Sequence, residues 1–135
     1  MIVVDTNILV YLLLSVEHTL RARALLDLDA DWHSDAFALV ELTNVLATAV
    51  RVRGLSLPQA AAALATAEGI VESGLHMAGN SDVLVVASRL RVSAYDARFL
   101  VVAEGLGIRL VTEDVKLRRA APKLTQLLAQ ALGGA

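Results

Sequence analysis

The sequence predicts a three-layer α/β domain, a parallel β-sheet flanked by helices. Three observations carry this. The short runs Ile2-Val3-Val4 and Ile108–Thr112 are continuously apolar or β-branched, as strands buried on both faces must be. Longer capped segments of helical spacing separate such runs, which implies crossovers and parallel pairing. Finally, 135 residues with 56% hydrophobic content bury a core without covalent staples. With two prolines and no Ser/Gly-rich linker, residues 1–135 read as one domain.

The elements follow in order. The first strand, Ile2-Val3-Val4, ends at Asp5. Thr6 and Asn7 are turn and capping residues, and Ile8–Leu14 forms the helix behind them. A second helix spans Thr19–Leu28, with Arg21 and Arg23 on its outer side. Asp31–Ser34 is a short strand. Ser34 or Asp35 then caps a long apolar helix ending near Arg53, with Gly54 as its stop. Ser56 caps the next helix, which holds Pro58 in its first turn and ends at Gly74. Leu75–Ala78 is read as a strand, and Asn80 or Ser81 begins a helix towards Arg91. Ser93 caps a further helix through Glu104, stopped by Gly105 or Gly107. Ile108–Thr112 is the next strand, Asp114 opens a helix ending before Pro122, and a last helix fills Lys123–Leu132.

Composition excludes several classes. With no cysteine there are no disulfides, thiolate metal sites or cysteine nucleophiles. The apolar runs, such as Ile8–Leu14, fall short of the roughly 18–20 residues of a membrane span. Met1 leads straight into Ile2-Val3-Val4-Asp5 without the basic start of a signal peptide, so the expected location is cytoplasmic. Fourteen acids against 12 bases give a net charge of −2, so a nucleic-acid partner needs local basic patches or bound metal. Hydrophobic content above the roughly 45–50% of soluble domains predicts that a partner covers some surface.

Four acids stand out. Asp5 ends a buried strand, and Asp114 follows the second strong strand. Asp96 lies in the first turn of an apolar helix, and Glu41 sits inside Phe37-Ala38-Leu39-Val40-Glu41-Leu42. Asp5, Asp96 and Asp114 read equally well as helix caps. Glu41 does not, because a carboxylate on an apolar helix face needs a partner or a cleft. In open parallel sheets ligands bind outside the carboxyl ends of the strands, where Asp5 and Asp114 are delivered. Should all four meet there, each pair about 4 Å apart repels by roughly 4 kcal/mol at an effective dielectric of 20. A cation would offset this. An all-oxygen donor set suits Mg²⁺ or Mn²⁺, and such an ion suits phosphodiester hydrolysis.

Asp5-Thr6-Asn7-Ile8-Leu9-Val10, Glu41-Leu42-Thr43-Asn44-Val45-Leu46, Tyr95-Asp96-Ala97 and Thr112-Glu113-Asp114 with Leu117 together resemble the PIN domain family. More narrowly, they resemble the VapC-type toxins of bacterial toxin–antitoxin pairs. The likeness runs from Ile2 to Leu117, with only helical texture between Gly54 and Arg91. It implies a PIN-like fold and a Mg²⁺-dependent endoribonuclease with an RNA substrate, a cognate antitoxin and a homodimer. It also implies Asp5 and Asp96 as direct metal ligands, with Glu41 and Asp114 completing the pocket directly or through water. Thr6, Asn7 and Thr112 correspond to polar residues that position the acids and a phosphate. Asn44, three residues after Glu41 on the same helical face, is either an orienting partner of Glu41 or an ordinary polar residue. No second acid adjoins Asp96, and Glu113 competes with Asp114 for the pocket, although motif position favours Asp114.

The remaining polar residues carry plainer expectations. Arg98 is a candidate RNA contact but reads more readily as a surface residue. Lys116, Arg118, Arg119 and Lys123 form the densest basic cluster, either a solvated helix end or a contact to RNA phosphates. His18, His33 and His76 lack zinc-like spacing. Trp32 and Tyr95 are expected in the core rather than stacked on bases. Two alternatives remain at this level: a Mg²⁺-binding phospho-acceptor signalling module, and a PIN scaffold that binds RNA or protein without cleaving.

Overall fold

Five short strands pair, the inner three largely stripped of water and the outer two partly exposed. In the computed structural model, which describes residues 1–134, these are β1 (Ile2–Val4), β2 (Trp32–Asp35), β3 (Leu75–His76), β4 (Leu110–Val111) and β5 (Thr125–Gln126). All neighbours run parallel, in the order β3-β2-β1-β4-β5. The helices are α1 (Thr6–Leu13), α2 (Thr19–Leu28), α3 (Phe37–Val52), α4 (Leu57–Val71), α5 (Asn80–Leu90), α6 (Ala94–Leu106), α7 (Val115–Ala120) and α8 (Leu128–Ala131). The expected parallel sheet flanked by helices is what forms. One helical group packs α1 against α2 and α3, and α3 against α4; in the other, α5 packs on α6, which lies against β1, β2 and β4.

The main core joins Val3, Val4, Ile8, Leu9, Trp32, Leu100, Leu110 and Val111, all essentially without exposure. A smaller cluster of Leu42, Leu46, Ala60 and Ala67 joins α3 to α4. Burying one such Leu or Ile contributes about 1.5–3 kcal/mol, so the central β1 is held chiefly by what covers it. Among the described residues no helix is long and apolar enough to cross a membrane.

Several expectations need correction. The segment Lys123–Leu132 is not one helix: β5 forms first, and only Leu128–Ala131 is helical. The open edge of β4 decides this, because Leu110 N–H donates to Leu124 O at 2.8 Å and Thr112 N–H to Gln126 O at 3.0 Å. Local helix preference gives way to a sheet edge that would otherwise lack partners. Gly74 is not a helix stop either. Helix α4 ends at Val71, a 3-10 turn covers Glu72–Gly74, and a Cβ on Gly74 would lie 2.3 Å from Trp32 O. Only glycine allows β3 to approach β2 there. Gly107, by contrast, does close α6, with φ +70°.

Candidate active site at the carboxyl edge of the sheet

Strand register brings the first two polar groups together. Val4 of β1 pairs with Val111 of β4, so Asp5 and Thr112 are the next residues out on adjacent strands. Both are buried, Thr112 completely. The Thr112 side chain hydrogen-bonds the Asp5 carboxyl, and its Oγ1 accepts the Asp114 N–H at 3.1 Å. Asp5 also caps α1, with Oδ1 accepting Ile8 N–H at 3.3 Å, and Asp114 caps α7, with Oδ1 accepting Leu117 N–H at 2.9 Å. Capping and lining the cavity are therefore not rivals: the amides aim the carboxyl groups. At α6 the cap is Ser93, whose Oγ accepts Asp96 N–H at 3.0 Å. Glu41, half-buried on α3, is held by Thr6, whose hydroxyl donates to Oε1 at 2.6 Å.

These side chains line one cavity of about 330 Å³. Its walls include Asp5, Glu41, Asp96 and Asp114, with Thr6, Asn7 and Asn44 beside them. That volume lies at the low end of the roughly 300–1,000 Å³ typical of ligand sites. Burial pushes the Asp5 carboxyl up to about 7, and Asp114 and Asp96 add to the rise, while the Thr112 and Ile8 hydrogen bonds oppose it. Asp96 is raised as well, first by burial and then by Asp114.

For Asp5 the sign is clear. Between its unfolded value of 3.8 and its folded value of about 7, the folded chain keeps a proton that the unfolded chain has lost. Stability therefore falls as pH rises through that window. In chelator, the melting temperature should drop between about pH 4 and 7 more steeply for the parent than for Asp5→Asn. Parallel melting curves for the two proteins would refute this.

The PIN domain family model matches residues 2–123. The chain belongs to the PIN domain family. No curated protein sequence matches it. Among solved structures, it is similar to the crystal structure of PAE2754 from Pyrobaculum aerophilum, with a TM-score of 0.74 and 22% identity over 97% of this chain and 92% of that one. At that identity the likeness speaks for the fold alone. PIN domains are generally nucleases that act on RNA and typically use divalent metal ions.

The PIN cavity fits such an ion by its chemistry. Its acidic groups are all carboxyl oxygens, and Asp5, Asp96 and Asp114 repel one another. Among the described residues no three His, Asp or Glu side chains gather closely enough to cage an ion. Mg²⁺ does not need a cage, since it keeps several waters and takes one or two carboxylates.

Other side chains lie elsewhere than expected. Arg98, a candidate RNA contact, is turned to Asp35: Nε donates to Oδ2 at 2.9 Å, and its guanidinium reaches Asn80 Oδ1 at 3.3 Å. Asp35 is fully buried, beyond the capping role its sequence position suggests; its place at the end of β2, as Asp5 follows β1, is the available clue. The formal N-cap of α3 is Ala36. Thr6 is the hydrogen-bond partner of Glu41, while Asn44 stands exposed at the cavity wall. Glu113 faces His18 at 3.7 Å, and Asp114 takes the cavity. Lys116 and Arg119 are exposed on α7 and Arg118 is half-buried. His33 Nδ1 meets His76 Nε2 at 2.9 Å between β2 and β3. Trp32 is core, as expected. Tyr95 is not: it is 64% exposed.

Proposed function

We propose that this PIN domain is a metal-dependent endoribonuclease hydrolysing RNA phosphodiester bonds, and that it is the toxin of a type II toxin–antitoxin pair. The supporting observation is the meeting of Asp5, Glu41, Asp96 and Asp114 in one cavity of a PIN fold. Asp5 and Asp96 hold Mg²⁺, or Mn²⁺ in its place. Glu41 and Asp114 complete the pocket directly or through water. When bound, the ion supplies phosphate binding, charge neutralisation and a more acidic water. Thr112 and the Ile8 amide keep Asp5 aimed into the cavity, and Thr6 fixes Glu41 through Oε1. Asn7 and Asn44 offer amide groups at the wall for phosphate oxygens. Water would add in line to phosphorus and give up a proton as the bond to the 3′-oxygen breaks, and that oxygen would take up a proton, leaving a 5′-phosphate and a 3′-hydroxyl.

The basic α7, with Lys116, Arg118 and Arg119 directly behind Asp114, supplies phosphate contacts in an otherwise acidic protein. The cognate antitoxin and a second copy of the chain are its partners. Support comes from an apolar groove between α3 and α4, lined by Leu46, Val50, Leu57 and Leu64, with Leu57 71% exposed. A monomer by light scattering, stabilised by no co-expressed protein, would count against the partners alone. The positions of Lys116 inside α7 and Asp96 inside α6 speak against the phospho-acceptor alternative.

The direct test is incubation with single-stranded RNA. Cleavage leaving 5′-phosphates, stopped by EDTA and restored by Mg²⁺ or Mn²⁺, is expected. RNA left intact with either ion, or cut equally well in EDTA, would defeat the proposal.

A further inference from the structure

We propose that Tyr95, backed by Phe37, is a nucleobase-stacking subsite beside the acidic cavity, so that the substrate carries an unpaired base next to the bond that is cut. This rests on the nuclease reading and narrows its substrate class.

The Tyr95 ring lies nearly parallel to Phe37, at 12° with centroids 5.3 Å apart. That separation is within the roughly 4.5–7 Å of a stacked aromatic pair. Phe37 belongs to α3, one helical turn before Glu41, and Tyr95 precedes Asp96 on α6. The pair thus bridges the two helices that carry these acids. Phe37 and Val40 also form part of the cavity wall, and Val40 is 62% exposed. The cavity lining is mixed: Asp5 and Asp114 follow strands, Asp96 lies on α6, and α3 presents Glu41 and Asn44 beside the apolar Phe37 and Val40; Tyr95 stands outside this lining, stacked on Phe37.

A free phosphate would use only the acidic groups with their cation, and an aliphatic ligand only the apolar side chains. A nucleotide uses both, with its phosphate towards the acids and their cation and its flat ring on Tyr95. Phe37 supports the ring from beneath, so a base meets a platform that is already ordered. In a duplex each base is stacked between its neighbours and cannot reach a side-chain ring, whereas loops and single strands can splay a base out.

The test compares parent, Tyr95→Ala and Tyr95→Phe on a short single-stranded RNA with one cleavage site in Mg²⁺, and on the same RNA made abasic at each nucleotide flanking that site. Cleavage gives KM and kcat, and fluorescence anisotropy gives Kd. Tyr95→Ala should raise KM and Kd about tenfold, the loss of one stacked base, while Tyr95→Phe stays near the parent. An abasic nucleotide on one side should cost the parent a similar factor and cost Tyr95→Ala almost nothing, since the two changes remove the same contact. An unchanged KM and Kd in Tyr95→Ala, or an abasic penalty that persists in it, overturns the subsite and leaves the nuclease standing. The subsite is equally overturned if Tyr95→Ala alters only the oligomeric state, which would make the ring a protein contact. A parent that neither binds nor cuts any of the RNAs overturns both.

Discussion

Asp96→Asn is expected to end RNA cleavage in a protein that melts no lower than its parent. The carboxyl group is raised by burial and by the facing Asp114, so removing its charge relieves a cost in the metal-free fold. Asparagine keeps the size of the side chain and an oxygen for the Asp96 side chain's own hydrogen bond with Ser93, and the N–H bond to Ser93 Oγ at 3.0 Å involves only the backbone. The α6 start should therefore stay intact. Cleavage should fall by more than about a hundredfold, because changes in groups that merely support a metal ligand already cost roughly 10–100-fold. Initial rates in saturating Mg²⁺ and melting curves in chelator check the two halves separately. Cleavage at the parental rate would remove Asp96 from the metal site. Lost cleavage with a collapsed melting temperature would make it a structural residue.

The second large effect concerns stability. Arg98→Ala should lower the melting temperature by about 10–20 °C, through a loss of roughly 3–5 kcal/mol. Asp35 has no exposure, and its charge is shared among Phe37 N–H at 2.8 Å, Ala78 N–H at 2.8 Å and Arg98 Nε at 2.9 Å. Removing the guanidinium leaves a buried anion with two amides and no counter-charge. Against a total stability of about 5–15 kcal/mol, that is a large fraction. Asp35→Asn combined with Arg98→Ala should recover part of the loss, since the orphaned charge is then gone. Thermal unfolding by circular dichroism measures all three variants. A shift of only a few degrees in Arg98→Ala would show that water or the neighbouring amides stabilise Asp35 unaided.

Much of this was legible in the sequence because it is local. Ser93 caps α6, Ser56 caps α4 with Gln59 closing the capping box, and Gly107 ends α6. Each depends on residues within one turn. The four acids were legible for a different reason: a carboxylate at the end of a buried strand or inside an apolar helix face conflicts with its surroundings unless something nearby requires it. The likeness to PIN domains implies roles for them, and all four line one cavity. What the sequence misjudged lies between elements. Arg98 looked like a surface cation because its partner, Asp35, is 63 residues away in the chain. For Asn44, one helical turn from Glu41, the sequence leaves a partner role and an ordinary polar role equally open, while Thr6, 35 residues before Glu41, makes the bond.

The sequence alone determined that strands and helices alternate, that the sheet is parallel, and which carboxyl groups are out of place. These follow from hydrophobic period and capping, which are properties of a few consecutive residues. Tertiary structure alone decided that Thr125–Gln126 becomes a strand, that Tyr95 stands in solvent on Phe37, and that Asp35 is neutralised from α6. Each of these depends on an open edge, a free face or a buried charge that exists only once distant segments have met.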